Sequence, residues 1–285
     1  MLTKTEQDRS VIKLWFTDAS KEDIWFMLRS DAHHDSMHCR RDLEKKHLDK
    51  AMEKKAYILD AGDLFDAMQG RNDKRRSLDD LRPEYKCENY FGALVEEACQ
   101  FYRPYSDRWI LLGKGNHETA IMKYNNMDLT SILASKLRSS AMPYVGGFGG
   151  WVFVYLFNTD DSGGARSCVR IKYHHGSGWN APVTRGVIQT NRQAVYLPDA
   201  DVVWNGHNHQ EYVMAMKRER ITTKGNPYYD ICHFVRTPGY KDDYNDSDSG
   251  WASEKGFPPA PHGCAWMKIT MRDHKPKVMV YSEVE

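Results

Sequence analysis

A chain of 285 residues lies near the upper size for one hydrophobic core, so one domain with elaborated loops is the expectation. Its residues are 41% hydrophobic and 28% charged, enough apolar material for a sizeable interior, and no run approaches the roughly 18 apolar residues of a spanning helix. A net charge of +1 excludes a global pull toward nucleic acid or membrane and leaves only local attraction.

In chain order, the segment MLTKTEQDRS lacks an apolar stretch of signal-peptide length. Val11 to Phe16 and Ile24 to Leu28 read as strands, and Arg40 to Lys55 as a charged helix. Tyr57 to Leu59 is a short buried strand. Asn89 to Tyr102 is a helix with Phe91, Leu94, Val95 and Ala98 on one face. Trp109 to Leu112 is the next strand, and Asp128 stands where it would cap a helix running to Leu137. Further strands are expected at Trp151 to Phe157, Cys168 to Tyr173, Asp201 to Trp204, Glu211 to Met216, Ile231 to Val235, Ala265 to Ile269 and Val278 to Tyr281, with a turn at Asp160 to Gly164. The chain is thus mixed α/β early and mostly β late, as two packed sheets flanked by helices. Arg71 to Lys86 and Tyr240 to Gly263 stand outside this scheme. Loops of that length serve as functional covers or surface excursions, with the solvated excursion slightly favoured.

Five of these strands end on residues that bind metals. Ile24 to Leu28 leads into Asp31-Ala32-His33, Tyr57 to Leu59 into Gly62-Asp63-Leu64-Phe65-Asp66, and Trp109 to Leu112 into Gly115-Asn116-His117-Glu118. Cys168 to Tyr173 leads into His174-His175-Gly176, and Asp201 to Trp204 into Gly206-His207-Asn208-His209. The carboxyl ends of strands are where ligands of open α/β sheets gather. Any one of these pieces recurs by chance; five in succession do not. Imidazole with carboxylate and no thiolate favours Mn, Fe, Zn or Ni over a structural zinc–cysteine site. In a regular strand Asp31 and His33 would share a face, as would His207 and His209, whereas in a tight turn each pair can converge on neighbouring ions.

The series DxH, GDxxD, GNHE, HG and GHxH resembles the calcineurin-like metallophosphoesterases, over about Ile24 to Gly239, where Arg236-Thr237-Pro238-Gly239 looks like their last strand and turn. The resemblance implies an α/β fold of two packed mixed β-sheets flanked by helices (four layers, αββα), here as one domain over 1–285 with inserted loops near 71–86 and 240–263. It also implies two divalent metal ions, Mn²⁺ first, with Fe, Zn, Ni or Mg as alternatives. Asp31, His33, Asp63 and His209 would hold the first, and Asp63, Asn116, His175 and His207 the second, with Asp63 bridging. His175 is preferred to His174 because the family's ligand directly precedes glycine. His117 would be the general acid and Asp66 its orienting partner. Two cations about 3.5–4 Å apart activate a water for direct attack on phosphorus, so no serine or cysteine nucleophile is needed.

The resemblance therefore implies a phosphoester hydrolase. Phosphodiesterase or nuclease-like activity on nucleotide or nucleic-acid esters leads, a phosphomonoesterase of small molecules or proteins is the alternative, and a non-catalytic scaffold is the reading from another class. Ala67 follows Asp66 where the protein-phosphatase branch has arginine, which disfavours that branch. Arg185, Asn191 and Arg192 are candidates for phosphate contact, though pairing with acidic residues on a flanking helix explains them equally well. Trp179 and Tyr196 could stack on a base but fit a core as readily, and Lys74, Arg75 and Arg76 read as a solvated face. Cys39 reads as an incidental thiol, and His34, His38, His233 and His262 as structural. Six cysteines without paired spacing suggest reduced thiols and a cytoplasmic setting. No membrane partner is expected, and the oligomeric state is not set by the sequence.

Overall fold

The computed structural model describes residues 1–68, 81–138, 143–157, 166–178, 184, 186–244, 251–254, 256, 258–272 and 275–285. Its strands are β1 (Leu2–Asp8), β2 (Val11–Phe16), β3 (Ile24–Arg29), β4 (Tyr57–Asp60), β5 (Trp109–Leu112), β6 (Tyr144–Val145), β7 (Gly149–Phe157), β8 (Arg166–His174), β9 (Val202–Asn205), β10 (Tyr212–Ile221), β11 (Pro227–Arg236), β12 (Gly263–Arg272) and β13 (Lys275–Val284). Its helices are α1 (Arg41–Glu53), α2 (Tyr90–Tyr102), α3 (Asn116–Asn125), α4 (Leu129–Leu137), α5 (Val187–Tyr196) and α6 (Trp251–Glu254).

The strands form a six-stranded sheet in the order β13-β12-β3-β4-β5-β6 and a seven-stranded sheet in the order β1-β2-β7-β8-β9-β11-β10. Alternation along the strands decides which side chains face which layer. Phe26 and Leu28 of β3 join Ile12, Leu14, Val152, Val154, Ile171, Val202 and Trp204 in a core between the sheets. Met27, Ile58 and Trp109 point the other way, onto Leu43 and Leu48 of α1, Leu94 and Ala98 of α2 and Leu133 of α4. Val203 and Phe234, on the outer face of the seven-stranded sheet, pack with Ala194 of α5. The result is helix, sheet, sheet, helix: the expected αββα architecture.

Register then sets the level of the strand ends. Arg29 pairs with Asp60 and Asp60 with Leu112, so β3, β4 and β5 run parallel and finish together. In the other sheet His174 pairs with Asn205 and Asn205 with Arg236, so β8, β9 and β11 do the same. The early and late halves of the chain do not map onto the two sheets. β1 and β2 join the far sheet through β7, and β12 returns beside β3. Of the two expected loops, 71–80 lies outside the described residues, as does the turn at 160–164. In the rest of the first, Leu81 and Tyr85 are buried and Leu81 bridges to Ser36, while Pro83, Glu84 and Lys86 are exposed.

Candidate metal centre

The motif residues lie just past the matched strand ends, in turns or, for Asn116 and His117, at the start of α3. Asp31, His33, Asp63, His207 and His209 all adopt left-handed backbone, with φ of 54°, 46°, 52°, 77° and 52°. Each such non-glycine residue costs of order 1–3 kcal/mol, and strain of this kind concentrates at functional sites. It turns Asp31 and His33 toward one centre, as it does His207 and His209. The chains must also approach closely. A Cβ on Gly115 would stand 2.0 Å from Asp63 Oδ1, and one on Gly206 would stand 2.6 Å from Asp31 Oδ2. No larger residue fits either place.

Two groups of ligand atoms result. In the first, atoms of Asp31, His33 and His209 lie within 4.8 Å of one another, with His209 Nε2 3.6 Å from Asp31 Oδ1. In the second, Asp63, His175 and His207 meet the same limit. His175 Nε2 is 3.0 Å from Asp63 Oδ2, 3.3 Å from Asn116 Oδ1 and 3.3 Å from His207 Nδ1. Asp63 also groups with His33 and His117, so its carboxylate faces both sets. His175 lies in this cluster, while His174 turns aside and accepts from the Gly176 N–H at 3.0 Å.

The donor set passes the test for divalent cations. Asp31 Oδ1 and His33 Nε2 are buried without a hydrogen-bond partner, which is costly unless a cation meets them. His175 Nδ1 donates to the Ala61 carbonyl at 3.2 Å, which leaves Nε2 as the nitrogen facing the cluster and free to accept a proton or a cation. Burial opposes charge on His175, yet Asp63 and Asp31 push it up to about 9. Burial likewise opposes charge on His209, and Asp243 and Asp31 push it up to about 10. A centre this rich in carboxylate draws positive charge, as protons or as metal. Asn116, His207 and His209 are only half-buried and form the open side; the remaining ligands are buried.

Asp66 adjoins His117, but its carboxylate is engaged more closely elsewhere: Oδ1 lies 3.8 Å from His117 Nδ1 and accepts from His33 Nδ1 at 2.8 Å and from Lys241 Nζ at 3.0 Å. His117 Nδ1 donates instead to the Asp66 main-chain carbonyl, at 2.5 Å, which turns Nε2 toward Asp63 Oδ2 at 3.9 Å. Among the substrate candidates, Arg192 stands exposed on α5, as do Asn191 and Tyr196, and Arg185 and Trp179 lie outside the described residues, as do Lys74, Arg75 and Arg76.

Sequence reasoning also missed Glu118. Its buried carboxylate accepts from the N–H groups of Asp63, Phe65 and Gly115, at 3.0, 3.0 and 2.8 Å, and so ties the second motif to the third. A further group, His34, Cys39 and Glu44, is a closed ion network. His34 is held by Glu44 and Glu97, and the Arg29 cation sits 2.8 Å from Glu44. Cys39 is buried there, and burial raises its thiol well above the usual range.

The two-sheet fold is the one implied by the resemblance to the calcineurin-like metallophosphoesterases, and its strand ends carry candidate metal ligands in the same order. No family model matches the chain, and no curated protein matches it. Solved structures do. Vacuolar protein sorting 29 from Cryptosporidium parvum is 13% identical, with a TM-score of 0.36 and 92% of this chain and 99% of that one covered. Wild-type Vps29 complexed with Zn²⁺ from Entamoeba histolytica is 9% identical, with a TM-score of 0.38 and 91% and 99% covered. A conserved protein of Streptococcus pneumoniae described as a predicted phosphoesterase is 10% identical, with a TM-score of 0.30 and 92% and 99% covered. At these scores the likeness carries no chemistry, and the class of the centre rests on its own atoms. Among the described residues, no helix is long and apolar enough to cross a membrane.

Proposed function

We propose that this chain is a metal-dependent phosphoester hydrolase of the calcineurin-like type, acting first on diesters of nucleotides or nucleic acids. The observation that supports it most is the meeting of two ligand groups at Asp63, with Asp31 Oδ1 and His33 Nε2 buried and lacking a hydrogen-bond partner. Asp31, His33, Asp63 and His209 would hold one divalent cation, and Asp63, Asn116, His175 and His207 the other. A pair of such cations, Mn²⁺ first, supplies an acidified water and charge to offset that of the phosphoryl oxygens.

The remaining work falls to this chain's side chains. His117 is fixed through Nδ1, so Nε2 is the nitrogen that faces the centre and can deliver a proton to the departing oxygen. No covalent intermediate is required, and Cys39, Cys99, Cys232 and Cys264 are buried. Ala67 in place of arginine after Asp66 removes a clamp suited to a terminal phosphate, which supports the diester preference over the monoester alternative.

Hydrolysis of bis-p-nitrophenyl phosphate and p-nitrophenyl phosphate, measured with Mn²⁺ and with chelator, tests this reading. Faster turnover of the diester, abolished by chelation, is expected. Faster turnover of the monoester would shift the assignment to a phosphatase, and no turnover of either with Mn²⁺, Zn²⁺ or Fe²⁺ would remove the hydrolase reading.

A further inference from the structure

Lys241 and Asp243 belong to no sequence motif. They sit on the segment that follows β11, where a solvated excursion was expected. That segment is strapped to the loop carrying Asp31 and His33. The Tyr240 N–H donates to the Asp31 carbonyl at 2.9 Å, the Arg40 N–H to the Tyr240 carbonyl at 2.7 Å, and the Asp242 N–H to the His38 carbonyl at 3.0 Å. Cys39 and Lys241 pair as an antiparallel bridge. Tyr240 is wholly buried, with its hydroxyl 3.1 Å from His47 Nδ1.

From this strap Asp243 Oδ2 lies 2.8 Å from His209 Nδ1. Across the centre, Asp66 Oδ1 lies 2.8 Å from His33 Nδ1. Lys241 Nζ stands between the two carboxylates, 3.0 Å from Asp66 Oδ1 and 3.7 Å from Asp243 Oδ1. One cation therefore ties together the two acids that hold the two imidazoles of the first ligand group.

We propose that Asp243, Lys241 and Asp66 form an outer bracket that aims His33 and His209 at the first cation, with Asp243 a positioning residue; this rests on the metal-centre reading. A carboxylate on Nδ1 fixes the tautomer, leaves the Nε2 lone pair pointing inward and strengthens it as a donor. The second group is built differently. His175 Nδ1 meets a neutral carbonyl, that of Ala61, and His207 Nδ1 faces His175 itself. The bracket thus acts on one site of the two.

Titration of Mn²⁺ into chelator-stripped wild type, Asp243→Ala and Asp243→Asn, with melting of the metal-free forms alongside, tests the bracket. Wild type should show two sites. Asp243→Ala should weaken one by about 10–100-fold and leave the other unchanged, and Asp243→Asn, which keeps an acceptor, should fall between. Two unchanged sites in both variants, or a lower metal-free melting temperature with unchanged affinities, would overturn the bracket and leave the metal centre standing. A wild type that takes up no Mn²⁺, Zn²⁺ or Fe²⁺ would overturn the metal-centre reading and the bracket with it. If Asp243→Ala does not fold, Asp243→Asn decides by the same comparison.

Discussion

The His117 imidazole has one nitrogen on the Asp66 carbonyl and the other 3.9 Å from Asp63, so it borders the centre without completing either ligand group's expected set. Replacing it with Asn should therefore lower turnover while metal content stays near that of wild type. The loss should be on the order of 10²–10⁴-fold for a poor leaving group and smaller for p-nitrophenolate, which departs with little need of a proton. Equal losses on both substrates, or loss of metal, would show that His117 is a ligand or a scaffold residue. At this scale the grouping of the candidate ligands was legible because metal chemistry restricts the residue types. Their outer partners were not. Asp243 and Lys241 reach His209 and Asp66 only through the packing of the strap, and no residue type or spacing marks that contact in advance.

Between elements, a buried ion network joins β3, β4, α1 and α2 behind the centre. Glu44 of α1 accepts from Arg29 of β3 at 2.8 Å and from the Tyr102 hydroxyl of α2, and contacts His34 at 3.1 Å. Arg29 also pairs with Asp60 of β4 at 2.9 Å. Burial alone would raise the Glu44 carboxyl, but Arg29 and His34 hold it down at about 2. A depressed folded-state pKa means that the stabilisation is present above the unfolded value, about 4.5, and is lost as pH falls toward 2. Glu44→Gln should then cost about 3–5 kcal/mol at pH 6, the range for removing one partner of a buried pair. In denaturant titrations the gap to wild type should close steadily between pH 4.5 and pH 2, and a gap independent of pH would refute this account. Elements with dense apolar runs, such as β5 and β9, were readable, and the cap of α4 was too, for Asp128 does accept from the Ser131 N–H at 3.0 Å. By contrast, α3 begins inside the polar run Asn116-His117-Glu118, and α5 buries Thr190 and Gln193 while its Val187, Ile188 and Val195 stand exposed, so neither follows the usual apolar-inward pattern of a helix. The polar edge strand β1 exists through pairing with β2, a long-range choice that local pattern does not encode.

Across the whole molecule the centre spans both sheets. Asp31, His33, Asp63 and Asn116 come from the ends of β3, β4 and β5, while His175, His207 and His209 come from those of β8 and β9. Cations held there would link the two layers and would bind the folded chain alone, since the unfolded chain does not bring these residues together. Such linkage stabilises by RT ln(1 + [L]/Kd), about 2.7 kcal/mol for each site at a hundredfold excess over Kd. For a chain of this size each kcal/mol is worth roughly 2–4 °C, so Mn²⁺ should raise the melting temperature by several degrees over the chelated protein. Asp63→Asn should erase most of that difference, because Asp63 faces both ligand groups and Asn offers a neutral, weaker donor. Calorimetric melting of both proteins, each with chelator and with Mn²⁺, reads the effect directly. An equal rise in the variant would show that Mn²⁺ binds elsewhere on the chain, and no rise in wild type would show that the sheets are held together without it.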